Sequence, residues 1–68
     1  MEYNVEELKK ALIEKCKEES IIYALVAINR YTKEIILPNS LQDALNNPNY
    51  YVCTCRKVEE KYQIEEEK

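Results

Sequence analysis

Three cysteines are the residues of this chain best suited to chemistry: Cys16, and the pair Cys53 and Cys55 with only Thr54 between them. On an extended backbone the two thiols of Cys53-Thr54-Cys55 point to one face, about 6.6 Å apart along the chain. Together with Cys16 they could form a three-thiolate site completed by a carboxylate. Two features weigh against a metal. Structural zinc sites commonly space ligands about two to four residues apart and often recruit histidine, and this chain contains no histidine. Cys16 also falls on an apolar helical stripe, where free cysteine behaves as a small buried hydrophobe. The expectation is three buried thiols and no cofactor or metal. A thiol- or metal-dependent switch through Cys16, Cys53 and Cys55 is the alternative. Three cysteines leave one unpaired in any internal disulfide scheme, which fits a reducing compartment.

Carboxylates are the other abundant reactive type. Glu6, Glu7, Glu14, Glu18 and Glu19 lie where a solvated helix face is expected, so they do not define an acid–base pair. Without histidine the commonest general base is missing, and without glycine no phosphate-cradling loop can form. A chain of 68 residues also has little room for a concave site that excludes water. No enzymatic activity is expected. The acidic end, Glu59-Glu60 and Glu65-Glu66-Glu67, reads first as a solvating tail. Its functional reading is a patch, centred on Glu65 and Glu66, that steers the protein onto a basic groove of a larger partner. By analogy of size and charge alone, that partner would be a host nuclease inhibited by a phage- or mobile-element-encoded protein. Net charge is −3, with lysine and arginine scattered among glutamate. A duplex binder normally presents a basic stripe, so nucleic acid binding through Lys9, Lys10, Arg30, Lys33, Arg56 and Lys57 is disfavoured.

The elements that must position these groups follow from periodicity. Asn4 and Glu7 have the spacing of a capping box, and Tyr3 and Leu8 that of a hydrophobic staple. Val5, Leu8, Leu12 and Cys16 recur at helical spacing, acidic residues fill the first turn and Lys15 and Lys17 stand near the end, so a helix is predicted over 5–18. From Ser20 onward β-branched and aromatic residues predict strands over 21–29 and 33–37, reversed at Asn29-Arg30-Tyr31-Thr32. Asn39 with Gln42, or Ser40 with Asp43, can cap a short second helix that stops at Asn46-Asn47-Pro48. A third strand is predicted over Tyr50–Arg56. The last eleven residues are compatible with a strand extension through Tyr62 and Ile64, a helix or a loose tail.

Ile21–Ile28 is apolar on both parities, the pattern of a strand covered on both faces. Placing it at the centre predicts an α+β fold, α-β-β-α-β, with a three-stranded sheet of order 2-1-3 and both helices on one face. Residues 1–58 form one domain in this reading and 59–68 an acidic C-terminal extension. Ile22, Ala24, Val26 and Ile28 suit helix packing. Tyr23 and Leu25 then lie on a face the chain does not cover, joined by Tyr50 and Tyr51, since tyrosine combines an apolar ring with a hydroxyl that seeks a partner. A domain of this size buries only about 60% of its unfolded surface, and association is a common remedy. The function expected is a non-catalytic interaction module, homodimeric through Tyr23, Leu25, Tyr50 and Tyr51, that regulates or inhibits a larger protein. Met1-Glu2-Tyr3-Asn4 shows no secretory signal, and the longest apolar run falls short of the roughly 20 residues that span a bilayer. A cytoplasmic location without membrane contact is expected.

Overall fold

The first helix forms where its caps dictate. In the computed structural model, which describes residues 1–67, α1 spans Val5–Glu18. The Asn4 side chain accepts from the Glu7 amide at 2.9 Å and its own amide donates to the Glu7 carboxylate at 3.4 Å. The far end closes through a left-handed residue: Ser20 has φ 53°, its amide donates to the Lys17 carbonyl, and the Ile21 amide donates to the Cys16 carbonyl. Glycine usually fills that position. This chain has none, and serine takes it. The closure folds Ile21 back onto the cluster that contains Cys16, so the strand expected from residue 21 starts at Tyr23.

β1 (Tyr23–Asn29) turns into β2 (Ile35–Ile36) around Asn29, whose side-chain oxygen accepts from the amides of Tyr31 and Thr32 at 2.8 and 3.1 Å. That turn consumes residues 30–34, including Lys33 at φ 66°, and leaves β2 only two residues long. Of the two possible caps for α2 (Leu41–Leu45), Ser40 serves, accepting from the Asp43 amide at 3.1 Å. β3 runs Tyr50–Val58 and, after a tight turn with Glu59 at φ 60°, β4 runs Lys61–Glu66. The described residues contain no helix long and apolar enough to cross a membrane.

The fold is α+β with an antiparallel sheet of order β2-β1-β3-β4. The order 2-1-3 is kept within it, but the sheet has four strands rather than three. Residues read as an acidic extension supply the fourth, with Ile64 opposite Cys55 and Tyr62 opposite Lys57. Their period of two is carried only by Tyr62 and Ile64, and glutamate on both parities obscures it.

A second correction concerns the helices, which lie on opposite faces. α1 buries Leu8, Leu12 and Cys16 against Val26, Ile28, Tyr51, Cys53 and Cys55, with Tyr62 and Ile64 at the margin. α2 buries Ala44 against Ala27 and Val52 on the other side. The double apolar parity of β1 is therefore met partly within the chain. The lengths explain why only partly. A fourteen-residue helix is about 21 Å long and a five-residue one about 7.5 Å, whereas the nine residues of β3 extend roughly 30 Å. α1 covers most of its face, and α2 covers one end of the other.

Candidate functional site

The uncovered end of the α2-side face is the most distinctive surface of the molecule. Alternation along each strand delivers to it Tyr23 and Leu25 from β1, Thr54 and Arg56 from β3, and Gln63 and Glu65 from β4. Tyr23 is 68% exposed, while Leu25 is half-buried where the face meets the Ala27–Ala44–Val52 cluster. The polar members are already paired with one another. Arg56 donates to the Gln63 side-chain oxygen at 3.3 Å and lies 3.6 Å from the Glu65 carboxylate. Thr54 donates to Glu67 at 3.1 Å. Between them and the Tyr23 ring lies a shallow cleft of about 120 Å³. A partner could cover this surface with these bonds left in place, at the cost of desolvating the Arg56–Glu65 pair and the Glu67 carboxylate. Leu37, Leu41 and Leu45 expose further apolar area around α2.

Of the residues expected to bind a partner, Tyr23, Leu25 and Glu65 meet on this face. Tyr50 stands at its α2 end, half-buried, with its hydroxyl donating to Glu34 at 3.0 Å. Tyr51 and Glu66 do not belong to it. Tyr51 is 1% exposed, packed in the α1 core with the Arg30 guanidinium 5.2 Å from its ring centre. Glu66 pairs with Cys53 and shares the α1 side of the sheet. The reason is the strand period: neighbours point to opposite faces, so neither Tyr50 and Tyr51 nor Glu65 and Glu66 can share one. Thr54 and Gln63 are not among the residues expected from sequence to bind a partner, and Arg56 enters there only as one of the scattered cations. Their signal was present, since Thr54 and Arg56 alternate with the apolar set Tyr51, Cys53 and Cys55.

The three cysteines are all unpaired, buried and in one cluster. Burial pushes the Cys16 thiol up to about 12, reinforced by its hydrogen bond to Cys55 and by the charge Cys55 would carry. Burial pushes Cys53 up to about 11, opposed by a hydrogen bond from the Tyr51 hydroxyl and assisted by nearby Glu66. Tyr51 rises to about 12, again chiefly through burial. Since the thiolate is the nucleophile and the metal ligand, thiols held in this state behave as packing groups at neutral pH. Among the described residues no group of three or more potential metal ligands gathers. Comparison with protein-family models, with curated proteins and with solved structures finds no match to this chain.

Proposed function

We propose that the protein is a small non-catalytic interaction module that forms a two-fold homodimer through the open end of its α2-side face and, as that dimer, regulates a larger protein. The observation that carries this reading is Tyr23, standing exposed beside Leu25 on a sheet face whose polar side chains are bonded to one another. A second copy is the occupant the face suits best. In a two-fold dimer the same patch meets itself, and this patch carries both signs, Arg56 alongside Glu65 and Glu67. The broad side of the molecule measures 33 × 24 Å, about 790 Å² in all, and α2 occupies one end of it, so the open end offers less than the standard footprint of about 800 Å² per partner and suits a weak, reversible dimer.

Sedimentation equilibrium at micromolar and higher concentration tests the proposal. Wild type is expected at twice the chain mass of 8.1 kDa. Tyr23→Glu, at a position exposed in the single chain, is expected to run as a monomer with an unchanged circular dichroism spectrum. A wild-type monomer throughout the range, or a Tyr23→Glu dimer as tight as wild type, overturns it.

A further inference from the structure

β4 closes the order β2-β1-β3-β4, so among the described residues one of its sides has no neighbouring strand. The register identifies the backbone groups on that side. The Glu67 amide donates to the Val52 carbonyl at 2.8 Å, and antiparallel bonding alternates along the strand. Gln63 and Glu65 therefore direct their amides and carbonyls to β3, and Tyr62, Ile64 and Glu66 direct theirs outward. The opposite edge, β2, is only two residues long, whereas β4 offers six. An open edge of that length is a template for another strand.

Side-chain charge decides which strand. Glu59 and Glu60 lie in the turn before β4, and Glu65, Glu66 and Glu67 at its far end, with Lys61 between the two groups. Two copies of this edge bring together the same acidic excess, five glutamates against one lysine over residues 59–67 in each, which disfavours self-pairing. An incoming basic strand reverses the sign and is attracted. In the middle, Tyr62 and Ile64 are half-buried on the α1 side and offer apolar surface.

We infer that the β4 edge binds an extended basic segment of a partner protein as a fifth strand. The segment's backbone bonds to Tyr62, Ile64 and Glu66, an apolar side chain rests against Tyr62 and Ile64, and flanking lysine or arginine side chains meet the glutamates at either end. The outward backbone groups of Tyr62, Ile64 and Glu66 are not part of the α2-side face, although Glu65 and Glu67 border both, so strand binding here does not require the proposed dimer.

The test uses the full chain and a synthetic heptapeptide of alternating lysine and valine. Its controls are the same peptide with glutamate for lysine, and one of equal positive charge whose central valine is proline. The alternating peptide is expected to bind and to slow hydrogen exchange at Tyr62, Ile64 and Glu66. The glutamate peptide should not bind, and the proline peptide should bind at least about tenfold more weakly, a difference of about 1.4 kcal/mol. Glu60→Lys with Glu66→Lys, both exposed positions outside the α2-side patch, should weaken binding by a similar factor while the protein stays folded. Binding should persist in Tyr23→Glu, which separates this inference from the dimer. Equal binding of the proline peptide, or no added protection at the three outward amides, overturns it: the glutamates would then be a charge cloud and not part of a strand site. Concentration-dependent protection of the same amides without peptide would overturn it as well, since the edge would then pair with itself.

Discussion

The buried thiols are expected to make the protein's stability fall steeply in mild alkali. In the unfolded chain Cys16 and Cys53 ionise near 9.0, whereas folding holds them protonated to about 12 and about 11. Below pH 9 both states keep their protons and the thiols contribute their full packing stability. Above it the unfolded chain loses protons that the folded chain retains, so the equilibrium shifts toward unfolding until the folded thiols themselves ionise. Each such group weakens the fold by about 1.4 kcal/mol per pH unit in that window. Between pH 8 and pH 10 the two together remove about 3 kcal/mol, and Tyr51 adds its share only above pH 10. Net stability for 68 residues is roughly 3–10 kcal/mol, so the loss is readily seen. Urea unfolding at half-unit pH intervals gives the slope directly. Cys16→Ala with Cys53→Ala should flatten it, whatever those substitutions do to the stability at pH 7. A wild-type change smaller than about 1 kcal/mol across this range would refute the reasoning, because the thiols would then be as accessible folded as unfolded.

Two further outcomes follow from the backbone and the core. Ser20→Gly and Glu59→Gly relieve residues held at φ 53° and 60° and should each raise stability by about 0.5–1 kcal/mol. Lys33→Gly, at φ 66°, should gain less because it forfeits the ion pair to Glu7 at 3.5 Å and the contact over the Tyr3 ring. Thermal melts rank the three, and a loss at Ser20→Gly as large as an ordinary mid-helix glycine would remove the left-handed cap argument. Leu12→Ala empties a fully buried position between α1 and the sheet and should cost about 3 kcal/mol. A melting temperature within a degree of wild type would show that α1 does not dock there.

What was legible in the sequence was whatever local chemistry decides. The Asn4–Glu7 pair, the Leu8–Leu12–Cys16 stripe and the Lys15–Lys17 end define α1 at its observed bounds, since caps and periodicity act within a few residues. The apolar β1 defines the centre of the sheet. What escaped depended on tertiary choice. β4 presents glutamate on both parities, and only pairing with β3 turns Tyr62 and Ile64 into a strand face. The side taken by α2 escaped because β1 is apolar on both faces and accepts a helix on either. Tyr51 escaped because residue type alone does not tell a buried tyrosine from an exposed one, although its alignment with Cys53 and Cys55 does.

The α2-side parity of β3 carries one more piece of information. Read in chain order it is Tyr50, Val52, Thr54, Arg56 and Val58, apolar for two residues, polar for the next two and apolar again at the strand's exposed end. The change falls where α2 stops covering the sheet, since Val52 packs on Ala44 and Thr54 lies beyond. A surface meant to be covered permanently would have stayed apolar along its length, as obligate interfaces do. Here the apolar contribution comes from Tyr23 and Leu25, with Val58 at the far end of β3, and the remainder is a hydrogen-bonded set that is satisfied with or without a partner. The single chain can therefore fold with this face in water. The proposed dimer accordingly belongs to the class in which folded monomers associate and separate, with Tyr23 contributing most of the apolar area gained.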